Sequence, residues 1–447
     1  MVTLATRLAD LGGPSFTGDE AANLALAQGG VWQHLEELHS VPYPPLWYGL
    51  LGIWSSLFGN ADVAVRLLSV VAGIAFVPVI AELARRMYGD REAVCAAFLA
   101  ALWPLLAQEQ REVRAYAWIA LGTAVVLLAV LHAGERDRPR DWAVAGLALA
   151  ALASIHHFGF LAAAGIVFAS LAIWRRAGPL IAASVMAVAY VPTAYFDSFM
   201  NRAIIPFGTR ELSLGEYLIV FDGVLVGRLH IDRSLIAMAG AAFLPALAIG
   251  IARSGRWRWY WVTAAVASIA VPIALTRISV DWLLGPDHFA PLVPLAILAV
   301  ARFATSSPSL VVRPYSALLA AILVAALPQA LFVEPYFGTD WRVLVADVEA
   351  RTTTERAVYI APGFHLAPLA HYYRGSLPLA EVPQVAGDPS RANPGDTTAA
   401  DLAALVAGGV PEWLILDDSF RDRLPAAGWR EVLHRSEGGI GLYRLWP

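Results

Sequence analysis

The sequence predicts a multi-spanning α-helical membrane protein with about ten transmembrane helices and a small C-terminal α/β domain. Three observations carry that prediction. The 447-residue chain is 58% hydrophobic with a mean hydropathy of +0.58, far above a soluble globular protein. Its apolar residues gather into long stretches, with arginines clustered in alternate loops between them. After about residue 334 those stretches stop, and short strand-like and helix-like runs replace them.

The apolar stretches run over 63–84, 92–107, 115–133, 142–156, 158–174, 178–196, 234–252, 259–276, 288–304 and 314–333. Several are shorter than the ~20 residues a straight span needs, so their polar-looking ends must count toward the length. The fourth and fifth are separated only by His156-His157, which predicts a tight hairpin. Orientation follows from arginine. Arg85, Arg86 and Arg91, then Arg136, Arg138 and Arg140, then Arg175 and Arg176, then Arg253, Arg256 and Arg258 fall in alternate loops, which the positive-inside rule places in the cytoplasm. The opposite face then carries residues 1–62, the loops near 108–114, 197–233 and 277–287, and the tail. Met1 to Gly13 is too short and polar to span, so the pattern predicts either a further helix upstream of residue 1, the preferred reading, or a short stub that tethers the loop. No charged n-region followed by an apolar h-region marks a signal peptide.

The expected division is an extracytoplasmic acidic loop with amphipathic helices (1–62), a transmembrane helical domain (63–333) and an extracytoplasmic α/β domain (334–447). In the last, Ala357–Ile360, Trp413–Leu416 and Gly441–Leu445 read as strands, Trp341–Ala350 and Ala399–Ala407 as helices, and Gly387–Asp396 as a loop. The net charge of −4 gives no sign of a nucleic-acid partner, and every one of the 32 basic residues is arginine. Cys95 is the single cysteine, which excludes an internal disulfide and a cysteine metal cluster.

The chemistry concentrates on the outer face. Asp19-Glu20 stands in the first polar stretch, ahead of His39 and Pro42-Tyr43-Pro44-Pro45-Leu46-Trp47-Tyr48. Adjacent carboxylates beside a bilayer persist only where they face water, a partner or a substrate. They therefore read either as a catalytic carboxylate held at the membrane surface or as a cap on the helix starting near Ala21. Arg66, Arg111, Arg114, Arg202, Arg210, Arg228 and Arg277 lie outside against the charge trend. Guanidinium groups suit phosphate, although an outer arginine also pairs with an acid or a lipid headgroup. His39, His156 and His288 read as polar anchors or as ligands for metal or phosphate. No H-x-x-x-H or H-E-x-x-H spacing occurs, so no metal is expected to be obligatory. Trp257, Trp259 and Trp261 fit an interfacial belt.

Taken in order, Asp19-Glu20, His39 with Pro44-Pro45-Leu46-Trp47-Tyr48, Trp54 to Gly59 and Val65-Arg66-Leu67-Leu68-Ser69 resemble the first third of GT-C fold glycosyltransferases. The likeness is to the bacterial branch related to protein O-mannosyltransferases and the lipid A aminoarabinose transferase. Glu112-Val113-Arg114-Ala115-Tyr116 is similar to that family's E-x-R-x-Y, and His156-His157-Phe158-Gly159 to its H-Y-F-G. Asp340-Trp341-Arg342 and His371-Tyr372-Tyr373 resemble elements of its tail domain. The resemblance implies an enzyme of the bacterial plasma membrane that transfers a sugar, with inversion, from a polyprenyl-phosphate donor to an extracytoplasmic glycan, glycolipid or protein acceptor. It implies Asp19 as base with Glu20 the alternate. Arg66, Arg114, Tyr116 and His288 would lie at the donor phosphate and lipid, and His39, Tyr48, Glu112 and His156 at the acceptor or sugar. Donor and membrane lipids are the implied partners, and a divalent metal is left open. Two departures stand out: the family's helix ahead of the acidic loop is missing, and Asp287-His288-Phe289 replaces a common Arg-Tyr pair.

A transporter or flippase of polyprenyl-linked lipid is the alternative from another class. It would place charges or broken helices at mid-membrane, whereas these acids gather outside. A non-catalytic scaffold of the same fold would keep its complexes after loss of Asp19. The arginine pattern makes a direct prediction. The Asp19 loop, the 197–233 loop and the tail should lie on one side, opposite Arg136–Arg140. Single-cysteine variants on a Cys95→Ala background, labelled in intact cells, check this; reaction at position 137 without reaction in the tail would overturn it.

Overall fold

The computed structural model describes residues 2–28, 44–200, 222–227, 233–271, 286–306, 310–332, 340–351, 357–361, 363–386, 388, 397–407, 413–424, 429–435 and 440–445. His39, Pro42, Tyr43, most of the 197–233 loop and nearly all of Gly387–Asp396 lie outside the described residues. The chain divides into two compact units. One comprises Met1–Leu11, Gly29–Ile204 and Thr209–Val333; the other comprises Gly12–Gln28, Ile205–Gly208 and Glu334–Pro447. Residues 12–28, read from sequence as part of the loop ahead of the first span, thus cluster with the tail.

Among the described residues the first unit has regular elements that are all helical. It contains α1 (Val2–Leu8) and, after α2 (Gly18–Gln28) of the other unit, α3 (Pro45–Phe58), α4 (Asp62–Met87), α5 (Asp90–Leu102) and α6 (Pro104–Glu109). Next come α7 (Tyr116–Arg136), α8 (Pro139–Ile155), α9 (His157–Trp174), α10 (Gly178–Met200), α11 (Arg233–Ala241) and α12 (Leu244–Ala252). The unit closes with α13 (Arg258–Ala265), α14 (Val293–Thr305) and α15 (Val312–Phe332). Each of the ten apolar stretches is helical over most of its described length, with breaks at Trp103 and at Ala242–Phe243. Among the described residues six helices are long and apolar enough to cross a membrane: Asp62–Met87, Tyr116–Arg136, His157–Trp174, Ser234–Ala252, Asp287–Thr305 and Val312–Phe332. The protein is a multi-pass membrane protein.

The shorter stretches have local causes. The second is cut in two because Pro104 drives Trp103 into an extended conformation (φ −66°, ψ 115°), ending α5 and starting α6. Between α8 and α9 only His156 leaves the helix (φ −166°, ψ 153°). Its ring nitrogen Nδ1 accepts the Phe158 N–H at 3.1 Å, capping α9 in the space of one residue. The stretch after α13 continues as a π-helical turn over Val266–Ala270.

The second unit is built on a five-stranded sheet. Its strands are β1 (Val358–Ala361), β2 (Leu379–Glu381), β3 (Trp413–Asp417), β4 (Trp429–Arg435) and β5 (Ile440–Leu445), in the order β2-β1-β3-β5-β4. β1 runs parallel to β2 and β3, whereas β5 runs antiparallel to β3 and β4. Side chains alternate across the sheet. Val358, Ile360, Trp413 and Ile415 pack under Trp341, Leu344, Val345 and Val348 of α16 (Trp341–Arg351), with Leu369 of α17 (Leu366–Tyr372). Leu414, Leu416 and Tyr443 point the other way, toward Leu402 of α18 (Ala399–Ala407). The two edge strands, β2 and β4, are the ones absent from the sequence reading. β2 is three residues long, and β4 is a charged run whose pairing shifts register between Glu431 and Leu433.

Close helix approach in the first unit depends on glycine. A Cβ at Gly250 of α12 would overlap the Ala299 carbonyl of α14, and neither backbone can yield, whereas a Cβ at Gly49 of α3 would meet nothing within 4 Å. Gly250→Val should therefore cost at least about 1–3 kcal/mol and lower the melting temperature of the purified protein in detergent. Gly49→Ala should hold or raise it. Equal melting of the two variants would contradict this packing.

Candidate active site

The loop from Gln110 to Ala115 is held by guanidinium groups aimed at backbone. Arg7 of α1 is fully buried. Its Nε donates to Gln110 Oε1 at 2.6 Å, its Nη1 to the Ala101 carbonyl at 2.8 Å and its Nη2 to the Ala100 carbonyl at 3.1 Å. Those carbonyls belong to the last turn of α5, where no intrahelical donor exists and Pro104 supplies none. Burial, and then the charge of Arg111, lower the Arg7 guanidinium from its usual range, though it stays protonated at neutral pH. Arg111 donates to the Leu331 carbonyl at the end of α15 and to Ala9 and Asp10 just after α1. Arg66 of α4 donates to the Leu11 carbonyl at 2.9 Å, and Ser69 donates to the Glu112 carbonyl at 2.6 Å. Arg66, expected at the donor phosphate, is buried and directed at backbone.

Three loops meet at one end of these helices. Arg114, just ahead of α7, lies 3.0 Å from Asp287 Oδ2 and 3.9 Å from Glu112 Oε2, with its guanidinium carbon 4.8 Å from the centre of the Tyr116 ring. Asp287 and His288 stand in a 3₁₀ turn (Pro286–Leu292) that leads into α14. The His288 ring stacks on Phe158 (4.7 Å, 10°) and lies 5.8 Å from Tyr116 and 6.3 Å from His156. His156 is 5.3 Å from Tyr116. Glu112, Arg114 and Tyr116, one motif in the sequence, thus form a cluster with His156 and His288, which lie far from it along the chain. Side-chain exposures of 14%, 10% and 7% for Arg114, Glu112 and Asp287 mean that little water screens the charges. The sequence reading missed Asp287 and Phe158 as members. Asp287 was visible only as a departure from an Arg-Tyr pair, and Phe158 only as the third residue of a histidine motif.

In the second unit Glu20 and Thr17 form a reciprocal capping box. The Glu20 N–H donates to Thr17 Oγ1 at 3.2 Å, and Glu20 Oε2 accepts the Thr17 N–H at 3.0 Å. Thr17 is therefore the cap of α2, not Asp19, and Glu20 is buried in that task whereas Asp19 is exposed. The preceding segment is fastened to the tail. Ser15 Oγ accepts the Trp341 N–H, Arg342 donates to the carbonyls of Gly12 and Gly13, the Tyr372 hydroxyl accepts the Phe16 N–H at 2.7 Å, and the Phe16 ring lies 4.6 Å from His371. Asp340 Oδ1 accepts the Arg342 N–H and opens α16. The D-W-R and H-Y-Y elements thus clamp the chain that carries Asp19. Tyr48, on α3, is buried beside Trp47 in the sequence. His39 lies outside the described residues. Among the described residues no three His, Cys, Asp or Glu side chains are placed to hold a metal ion.

The similarity of this chain to solved membrane proteins shows a fold of the GT-C type. The family described as dolichyl-phosphate-mannose-protein mannosyltransferase matches residues 42–196. Among solved structures, ArnT from Cupriavidus metallidurans is similar over 99% of this chain and 96% of its own, with a TM-score of 0.64 and 17% identity, both in the apo state and bound to undecaprenyl phosphate. The oligosaccharyltransferase of Archaeoglobus fulgidus, in complex with Zn and sulfate, is similar over 94% of this chain and 67% of its own, with a TM-score of 0.54 and 15% identity. No curated protein sequence matches the chain.

The capping box yields a separable expectation. Thr17→Ala should destabilise by about 1 kcal/mol, whereas Asp19→Ala, two positions from the cap, should leave melting nearly unchanged. Thermal unfolding followed by circular dichroism checks this; a larger loss from Asp19→Ala would mean that Asp19 carries the structural role.

Proposed function

We propose that this protein is an inverting glycosyltransferase that moves a sugar from a polyprenyl-phosphate donor to an acceptor on the extracytoplasmic face of a bacterial plasma membrane. The observation that carries this reading is Arg114, a guanidinium at the mouth of a spanning helix, poorly solvated and set among aromatic and imidazole rings. A planar fork of donors there suits a lipid-linked phosphate by bidentate, charge-assisted bonds. Asp287 neutralises it meanwhile, and Tyr116, His288 and Phe158 offer a wall for a sugar or prenyl chain. The similarity to a protein solved with undecaprenyl phosphate supports a lipid donor of that kind.

In this reading the acceptor oxygen attacks the anomeric carbon, and its proton passes to Asp19. The bond from that carbon to the phosphate oxygen breaks, and the polyprenyl phosphate leaves with its developing charge met by Arg114. The capping role of Glu20 supports Asp19 as the base. Glu112 orients Arg114 or the acceptor, and Tyr48, His39 and His156 remain proposed for the acceptor or sugar. Mannose, glucose or arabinose are candidate sugars, and cell-envelope glycans, glycolipids or secreted proteins candidate acceptors.

Comparative glycan and lipid mass spectrometry of a deletion strain against complemented strains tests the reading. Asp19→Asn keeps size but removes the basic oxygen, and loss of a general base costs roughly 10²–10⁴ in rate. Its product should nearly vanish while donor binding persists. Arg114→Ala should weaken donor binding as well, and Arg114→Lys should recover only part. Chelation by EDTA should leave transfer intact. Normal turnover by Asp19→Asn with a dead Glu20→Gln would move the base to Glu20, and activity of both would remove catalysis from this segment.

A further inference from the structure

The helix ends remote from Arg114 carry a second cluster of arginine and aromatic rings. α9 begins where Phe158 stacks on His288 and ends at Trp174, 18 residues and about 27 Å further on. There the Arg256 guanidinium lies over two indoles, 4.8 Å from the centre of the Trp174 ring and 4.3 Å from that of Trp257, which itself stacks on Tyr260. Arg258, the first residue of α13, lies 6.0 Å from the Trp259 ring. Arg253 precedes the same turn and donates to the Ser306 hydroxyl at the end of α14.

These three arginines differ from their neighbours in what balances them. At the same end Arg85 and Arg86 pair with Glu82, Arg176 with Asp137 and Arg302 with Glu92. Arg253, Arg256 and Arg258 enter no ion pair among the described residues. The elements that carry and flank them have no acid to offer, since no Asp or Glu occurs from 142 to 196 or from 233 to 280. All three side chains are exposed. Stacking on an indole engages the face of a guanidinium and leaves the N–H groups at its edge for an oxygen anion. Next to them Trp259, Val262 and Val266 are exposed as well, at i, i+3 and i+7 on one face of α13 and the π-helical turn that continues it. Donors for a phosphate thus stand at the head of an apolar row, in a chain that crosses a bilayer. A free phosphate would use only the first; an anionic phospholipid uses both, and its net charge offsets guanidinium groups that no carboxylate offsets.

We propose that Arg253–Arg258 and the start of α13 bind an anionic phospholipid of the surrounding bilayer, its phosphate on Arg256 and Arg258 and an acyl chain along Trp259, Val262 and Val266. Native mass spectrometry of the delipidated full chain tests it, with titration by phosphatidylglycerol and by phosphatidylcholine of the same acyl chains. The tightest site should prefer phosphatidylglycerol. Arg256→Gln should weaken that site roughly tenfold, about the loss of one hydrogen bond to a charged group. Arg85→Gln, which removes a guanidinium already paired with Glu82, should leave it unchanged. Should Arg256→Gln fail to fold, Arg258→Gln decides, because that side chain is exposed and removes nothing from the core. Glycerol 3-phosphate, a phosphate without chains, should not displace the lipid at equal concentration; displacement would make this a site for a free phosphate and overturn the proposal. Equal affinity for the two lipids overturns it too, as does wild-type affinity for phosphatidylglycerol in every folded Arg256 and Arg258 variant.

Discussion

A helix that breaks inside an apolar bundle must find partners for the carbonyl groups it leaves behind, because no water reaches them. At the α5–α6 break those partners come from Arg7, a residue ninety-odd positions earlier in the chain. Its third bond, to Gln110, joins the break to the start of the loop that carries Glu112 and Arg114. Arg111, Arg66 and Ser69 extend the same device, each giving a donor to a main-chain carbonyl. The placement of Arg114 therefore depends on hydrogen bonds that have no part in chemistry. A short, polar N-terminal helix that looks like a stub in sequence is a structural necessity for this unit.

Electrostatics at the helix ends divides the arginines into two groups. Arg66 and Arg111 reach backbone oxygen. Arg114 is balanced by Asp287 and Glu112, carboxylates from two different loops. A cation so balanced is stable in a poorly hydrated place without a ligand. The imidazole and phenol rings around it lower local polarity without competing for its charge.

The second unit shows how residues that resemble catalytic or binding motifs can serve position. Asp340-Trp341-Arg342 begins a helix and grips the glycine carbonyls before Ser15, while Tyr372 and His371 hold Phe16. Thr17 and Glu20 then close the cap of α2, leaving Asp19 exposed one residue away. Of two adjacent carboxylates, the helix consumes one.

The helical architecture was legible in the sequence because bilayer burial needs long apolar runs, a local property. The tight turn at His156-His157 and the central strands β1, β3 and β5 were legible for the same reason, since their apolar runs stand out against polar neighbours. The edge strands were not, because β2 is too short for a period and β4 is charged with a shifted register. Nor could the sequence assign partners. Which of Asp19 and Glu20 caps α2 turns on Thr17, a hydroxyl whose direction only the folded turn sets. That Asp287 faces Arg114, and that Arg7 completes α5, depend on segments brought together across more than ninety positions, where no spacing rule operates. Sequence by itself determined the fold class, the apolar spans and the residue types able to do chemistry. Tertiary structure alone decided which of those residues meet and which are spent on holding the backbone.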